Sequence, residues 1–383
     1  MAKWKKCTLG DLVTFQRGHD LPRTQMKAGD YPVIGSNGII GYHNAYTTEA
    51  PSITVGRSGN VGKPFIYYGR TWSHNTSLYI KDFKGNDPVF IYYFLQTLNL
   101  THYAGGSAVP TLNRNHIHAL DVCVPCDVND QRTIGRYLQL LDEKITENQN
   151  INKNLEQQAL AIFRQYFMDF APYGGVAPSD WMEVSLDDVC IRITDGSHYS
   201  PADSPDSPYP MYSVKDMETY GFNSSTCKHI TEDEFRKMKK SDCVPLLNDI
   251  LVAKDGSYLK EIFICSEEKE EAILSSIAIF RPNTSVIMPE ILLYFLKQPS
   301  VRKDVGDNYV SGSALPRIVL KDFKKYRLTL PTMNEQLKIG SVLHAIRMQT
   351  KANIDEIQRL SSIRDTLLPQ LMSGNLDVSA LDI

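Results

Sequence analysis

Two stretches of the chain carry apolar residues at alternating steps of four and three. In the first, Gln131 to Met168, the positions are Ile134, Leu138, Leu141, Ile145, Asn148, Asn152, Leu155, Ala159, Ile162 and Tyr166. In the second, Gln336 to Met372, each position is displaced by 205: Ile339, Leu343, Ile346, Thr350, Asn353, Ile357, Leu360, Arg364, Leu367 and Leu371. A period of 3.5 sustained over this length predicts a helix whose seam faces a partner helix rather than a globular core. Two such helices in one chain, each roughly 57 Å long, are expected to pair antiparallel. Asn148 and Asn353 hold equivalent seam positions, where a polar group fixes register at some loss of stability. Pro369 lies inside the second pattern and predicts a kink or a frayed last turn before Gly374.

The rest of the chain repeats as well. Trp4, Leu9 and Asp11 of WKKCTLGDLV return as Trp181, Leu186 and Asp188 of WMEVSLDDVC. The turn Val55 to Gly59 is echoed by Val252 to Gly256, and PVFIYYFLQ from Pro88 by PEILLYFLK from Pro289, each a short helix opened by proline. Gly106 to Pro110 recurs as Gly312 to Pro316, and Val122 to Pro125 as Leu328 to Pro331, a strand and a proline before each long helix. Order is kept throughout, so the chain is a tandem duplication of a globular unit plus a long helix. Ser52 to Val55, Pro64 to Tyr68 and Leu78 to Ile80 read as strands between Gly and Asn turns, and short helices interrupt them. The fold class expected is α/β: two mixed α/β domains alternating with two long helices that form an antiparallel coiled coil, a pseudo-two-fold internal repeat. The expected boundaries are 1–128, 129–179 for the first helix and linker, 180–333, and 334–383 for the second helix and tail. The Pro/Gly stretch Phe170 to Gly175 is expected to end the first helix and free the second unit.

Composition changes this picture little, and charge somewhat more. With 383 residues, 42% of them apolar, the chain can fill two or three cores. It has no run of eighteen apolar residues, and its start, MAKWKKCTLGDL, lacks the apolar stretch of a signal peptide. Seven scattered cysteines fit reduced thiols, so a cytoplasmic setting away from membranes is expected. The net charge of −3 conceals an asymmetry: residues 1–128 hold twelve Lys+Arg against eight Asp+Glu and six of the nine histidines. Residues 180–333 hold nineteen against twenty-four. The first domain therefore suits a polyanion, whereas the second needs its positive charge concentrated on one face. Two related but different domains at a fixed separation suit the reading of two unlike half-sites on a DNA duplex, since groove faces recur about every 34 Å.

The residues now carry a resemblance. Ile193-Thr194-Asp195-Gly196-Ser197-His198-Tyr199-Ser200-Pro201 resembles the Asp-Gly-Thr-His-x-x-Pro pattern at the start of target recognition domains. Leu330-Pro331-Thr332-Met333-Asn334-Glu335-Gln336 resembles the Leu-Pro-Pro-x-x-Glu-Gln entry into a conserved helix. Both belong to specificity subunits of type I restriction-modification systems, and the whole chain resembles that architecture. The first domain departs from it, with Gln16-Arg17-Gly18-His19-Asp20 in place of the first motif and Asp130-Gln131 in place of Glu-Gln. The resemblance implies a non-catalytic subunit that binds double-stranded DNA. It also implies partners: two methyltransferase subunits docked on the long helices, and endonuclease/translocase subunits. S-adenosylmethionine, ATP and Mg would then act on those partners, and none would be bound by this chain.

Gly56-Arg57-Ser58-Gly59-Asn60-Val61-Gly62-Lys63 imitates a phosphate loop, but five residues separate Gly56 from Gly62 and Pro64 follows the lysine, where Ser or Thr should bind magnesium. Cys123 and Cys126 with His116 and His118 imitate half a zinc site, yet the matching positions are Asp322, Lys324, Thr329 and Thr332, so buried apolar cysteines and no metal are expected. Base and phosphate contacts call for Arg, Lys, Asn, Gln and hydroxyl groups on loops. The candidates are Arg17, Arg57, Asn60, Lys63, Asn113 and Arg114 in the first unit, and Ser197, His198, Lys215, Lys254, Ser257 and Arg317 in the second. For each of them a solvated surface position is the bland alternative. Two other readings of the whole chain stay open: a stand-alone DNA-binding regulator or phage-defence scaffold of the same architecture, and an enzyme with its own metal or nucleotide site.

Overall fold

The computed structural model describes residues 3–105, 110–312 and 314–376. The chain forms two compact units, 1–149 with 355–383, and 150–354. Each long helix therefore contributes one half to each unit.

The first unit begins with the strand Trp4–Thr8, paired antiparallel with Asp121–Pro125. Thr8 then closes a capping box with Asp11 over the short helix Leu9–Leu12. A four-stranded antiparallel sheet follows in the order 14–17, 77–82, 52–56, 64–67. Beside it stands a three-stranded sheet in which Tyr31–Gly35 pairs antiparallel with Gly38–His43 and parallel with Trp72–Ser73. The second unit repeats this skeleton. Met182–Ser185 pairs with Arg327–Leu330, and Ser185 and Asp188 form the matching capping box. The four-stranded sheet runs 190–195, 277–282, 250–253, 262–264, and Tyr209–Tyr212 lies antiparallel to Lys228–Ile230 and parallel to Ala272–Ile273. Proline opens both helices Pro88–Thr97 and Pro289–Leu296, as expected. The duplication read from Trp4/Trp181, Asp11/Asp188 and Pro88/Pro289 is thus a duplication of structure. The match between 106–110 and 312–316 lies in part outside the described residues.

The long helices run Val128–Phe167 and Met333–Ser373. None of the twenty seam positions is exposed. Within the first unit the two segments run antiparallel, with Asp142 accepting from Arg364 at 2.7 Å and Asn148 donating to Glu356 at 2.8 Å. Within the second, Asn353 donates to Asn152 Oδ1 at 2.7 Å, and Asn152 donates to the Thr350 carbonyl at 3.3 Å. Asn148 and Asn353 therefore have separate partners. A seam directed only at a helix needs correction at its ends: Ile134, Leu138 and Leu371 join the core of the first globular unit, and Ala159 and Leu343 that of the second. Glycine makes this approach possible. A Cβ at Gly135 would meet the Phe90 backbone nitrogen at 2.8 Å, and one at Gly340 the Met288 sulfur at 2.4 Å. The second helix continues through Pro369 to Ser373, and Gly374 (φ +76°) closes it.

One buried glutamine at each strand-to-helix corner explains the motif there. Gln131 is 1% exposed; its Oε1 accepts from Asp87 N at 3.0 Å, and its amide donates to Asn86 Oδ1 and the Pro125 carbonyl. Gln336, also 1% exposed, accepts from Met288 N and donates to the Val286 and Pro331 carbonyls. Each glutamine satisfies groups that the turn would otherwise bury without partners. The linker differs from the expected free connection: Phe170 and Tyr173 pack their rings on Trp181 at 5.9 and 5.2 Å, and Tyr173 donates to Glu335 at 2.8 Å.

Candidate nucleic-acid interface

Sheet register brings the candidate residues of each unit to one corner of the four-stranded sheet. In the first unit Arg17 ends the strand Thr14–Arg17 opposite Leu78, and Gly18 N donates to the Ser77 carbonyl at 3.0 Å. Arg57 follows the strand Ser52–Gly56; its N–H donates to the Thr76 carbonyl, and its own carbonyl accepts from Leu112 N at 2.8 Å. In the second unit Asp195 stands opposite Ala278, and Gly196 N donates to the Ile277 carbonyl at 3.2 Å. Lys254 follows Ile250–Ala253, donates from its backbone to the Ser276 carbonyl, and accepts from Ile318 N at 3.0 Å. Backbone bridges Ser58 to Thr111 and Asp255 to Arg317 complete the correspondence. Arg17 therefore occupies the place of Asp195, and Arg57 that of Lys254.

Chemistry at this shared corner is opposite in the two units. Lys254 Nζ lies 2.6 Å from Asp195 Oδ2 and 3.8 Å from Asp255 Oδ1, and only 6% of the lysine is exposed. That corrects its expected place on an exposed loop: the ammonium is committed to a largely buried pair that ties two strands together. His198, on the exposed side, reaches the same Asp195 carboxylate at 3.2 Å. In the first unit two guanidinium groups replace the pair. Arg17 meets Asp20 at 3.2 Å, with both side chains more than half exposed, and Arg57 is half-buried with its Nη1 3.5 Å from the Asn75 carbonyl. Asn75 in turn donates to Asp20. Sequence reasoning missed Asn75, which lies in no motif, and gave no role to Asp20 within the stretch 16–20; the two meet only through the fold. Burial pushes the pKa of the His74 imidazole, at the same corner, below its ordinary range.

The other candidates fall around these corners. Asn60 and Lys63 are exposed on the turn after Arg57, with Lys63 Nζ 5.5 Å from the centre of the Phe65 ring. The backbone donors that a phosphate loop would use are spent there: Gly56 N on Lys63 O, Val61 N on Gly59 O, and Gly62 N on Gly56 O. Asn113 accepts from Asn115 N at 3.0 Å as the cap of helix Arg114–His118, and Arg114 is exposed with no ion pair among the described residues. Ser197 both donates to the Tyr199 carbonyl (2.7 Å) and accepts from Tyr199 N, so its hydroxyl shapes the loop. Lys215 is exposed on the turn Val214–Asp216, while Ser257 and Arg317 are exposed neighbours, joined where Gly256 N donates to the Pro316 carbonyl at 2.7 Å.

The zinc imitation resolves differently from expectation. Cys123 and Cys126 are exposed rather than buried, because Cys123 points outward from a two-stranded sheet opposite Lys6. His118 accepts the Phe15 N–H through Nε2 at 2.9 Å. Among the described residues no group of three or more His, Cys, Asp or Glu is placed to hold a metal ion, and no helix is long and apolar enough to cross a membrane.

Comparison with known proteins agrees with this geometry. The family model described as type I restriction modification DNA specificity domain matches twice, over residues 1–157 and 178–360. The MjaIX specificity subunit of Methanocaldococcus jannaschii is 23% identical over 76% of this chain and 70% of its own length. The HindI specificity subunit of Haemophilus influenzae is 22% identical over 76% and 77%. In structure, the chain resembles the type I S subunit from M. genitalium with a TM-score of 0.65 at 17% identity, covering 97% of this chain and 96% of that one. With both repeats matched by the family model, the chain belongs to the type I restriction-modification DNA specificity family.

Proposed function

We propose that this chain is the sequence-specific double-stranded-DNA recognition subunit of a type I restriction-modification complex, reading an asymmetric bipartite target. The observation that carries this reading is the shared corner, where one backbone scaffold presents Arg17 and Arg57 in one unit and, in the other, an exposed His198 on an Asp195 carboxylate whose lysine partner, Lys254, is turned inward. Guanidinium groups donate to the guanine O6 and N7 acceptors, whereas a carboxylate or imidazole corner selects differently, so the two half-sites differ. The recognition domains are residues 1–128 and 180–333.

The chain itself performs no catalytic step. Two methyltransferase subunits dock on the long helices, and endonuclease/translocase subunits join them. Exposed Leu337, Val342 and Met348 on the second long helix support a docking role there. S-adenosylmethionine, ATP and Mg act on those partners, in the cytoplasm. The test is co-expression with the methyltransferase and endonuclease subunits, followed by methylome sequencing. A single bipartite methylated motif that disappears when this chain is deleted supports the reading. Tight sequence-specific binding without partners, and no methylation that depends on the chain, would replace it with a stand-alone regulator.

A further inference from the structure

The second unit contains a helix that the first lacks. In the first unit the segment between Gly38–His43 and Ser52–Gly56 holds no helix, whereas in the second the matching segment between Lys228–Ile230 and Ile250–Ala253 holds Glu232–Lys240. The repeat could not have announced it. Phe235 and Met238 fix the inner face in a small core with Met211, Ile230 and Val244, and the Phe235 ring stacks on Tyr209 at 4.6 Å.

Charge along this helix is sorted by end. Its first turn carries Glu232, Asp233 and Glu234, and its last Lys237, Lys239 and Lys240. Glu232 is matched by Arg236 at 2.5 Å and Glu234 by Lys237 at 2.7 Å. Lys239 and Lys240 are exposed, and neither makes an ion pair or side-chain hydrogen bond among the described residues. Negative groups beside them are already consumed. The carbonyls of Lys237, Met238 and Lys239 accept from the N–H groups of Ser241, Cys243 and Asp242. The Asp242 carboxylate is held by Arg192 at 2.6 Å and by Arg281 at 3.2 Å. What faces outward is net positive, in a domain with five more acidic than basic residues.

Position adds the last step. Cys243, two residues beyond the helix cap, accepts at its carbonyl from Ile273 N at 3.0 Å, and Ile273 accepts from Ser197 N at 2.9 Å. Two backbone hydrogen bonds therefore link the basic turn to the loop of Ser197, His198 and Tyr199. We propose that Lys239 and Lys240 form the DNA-phosphate clamp of the second recognition domain, supplying there the positive charge that Arg17 and Arg57 bring to the first. This rests on the DNA-recognition reading above. The apolar face is committed to the core and the free groups are ammoniums on flexible stems, so the contact is with the backbone, which positions without reading sequence.

The test uses the chain assembled with its methyltransferase subunits and measures duplex affinity from 0.05 to 0.3 M salt on cognate and non-cognate DNA. Lys239→Gln with Lys240→Gln is expected to make the plot of log K against log salt shallower by about 1.8, a loss of roughly 60-fold at 0.1 M. Both DNAs should weaken together, with the methylated motif and the melting temperature unchanged. An unchanged slope overturns the proposal, and so does weaker binding that comes with a lower melting temperature at constant slope, which would give the lysines a merely structural role at the helix terminus. Absence of sequence-specific binding by the unmodified complex would instead overturn the DNA-recognition reading, and the clamp with it.

Discussion

The two units share a skeleton down to individual backbone hydrogen bonds, yet they spend charge in opposite ways. In the first, the sheet corner holds Arg17 and Arg57, and the neighbouring interior is neutral, with the Ser52 and Thr71 hydroxyls bonded to each other at 2.7 Å. In the second, the corner is an internal Asp195–Lys254 pair, and a larger network lies behind it. Arg281 makes two bonds of 2.8 Å to Asp249, which is fully buried, and reaches Asp242, which Arg192 also holds. Cations that the first unit leaves outward are turned inward in the second. Bulk charge therefore misleads about binding: what matters is which charges already have partners.

The largest effect separating the units should come from that network. Arg281→Ala leaves Asp249 buried without its partner and is expected to cost about 3–5 kcal/mol. Urea unfolding followed by hydrogen exchange should place the loss in residues 150–354 and leave the first unit intact. The Asp249 hydrogen bond raises the Arg281 pKa and outweighs the lowering by burial, so the guanidinium stays charged at any accessible pH.

Next comes the corner itself. Lys254→Ala is expected to destabilise the second unit by about 2–3 kcal/mol, since it leaves the largely buried Asp195 with only the exposed His198 beside it, with little direct effect on DNA contacts. Arg57→Ala should do the reverse, costing about 1–3 kcal/mol in binding and relaxing the first half-site, with stability nearly unchanged. Paired melting and binding titrations check this. Equal behaviour of the two variants would erase the contrast drawn between the corners.

The glutamine corners should respond alike, because their geometry is alike. Gln131→Ala and Gln336→Ala each unpair buried backbone groups and are expected to cost about 2 kcal/mol. A large difference between them in denaturant midpoints would show that the repeat is less exact than its hydrogen bonds imply.

The smallest effect is a pH response common to both units. Hydrogen bonds from Thr8 hold the Asp11 carboxyl below its usual range, and bonds from Ser185 do the same for Asp188. A depressed folded pKa contributes stability above the unfolded value, about 3.9, and loses it as pH falls through the folded value. Asp11→Asn and Asp188→Asn should therefore each flatten the acid limb of the stability curve below about pH 4, as followed by circular dichroism.

Much of the fold was legible because its signals are periodic or duplicated. Ile134 to Tyr166 and Ile339 to Leu371 announce the helices, and Trp4/Trp181 with Asp11/Asp188 announce the repeat. Less of the site was legible, for a physical reason. Lys254 and Arg57 read alike as loop cations, and only the fold reveals that Asp195, fifty-nine residues away, captures one of them. Exposure of Cys123 depended on which face of a two-stranded sheet it took. The helix Glu232–Lys240 has no copy in the first half, so aligning the halves passes over it.

On the proposed function, each unit reads its own half of the target. Replacing residues 1–128 with the equivalent domain of another specificity subunit, in cells carrying the methyltransferase partners, and sequencing the methylome tests it most directly. The expected result is a motif changed in one half only, with the other half and the unread spacer retained. A change in both halves, or in neither, would contradict it.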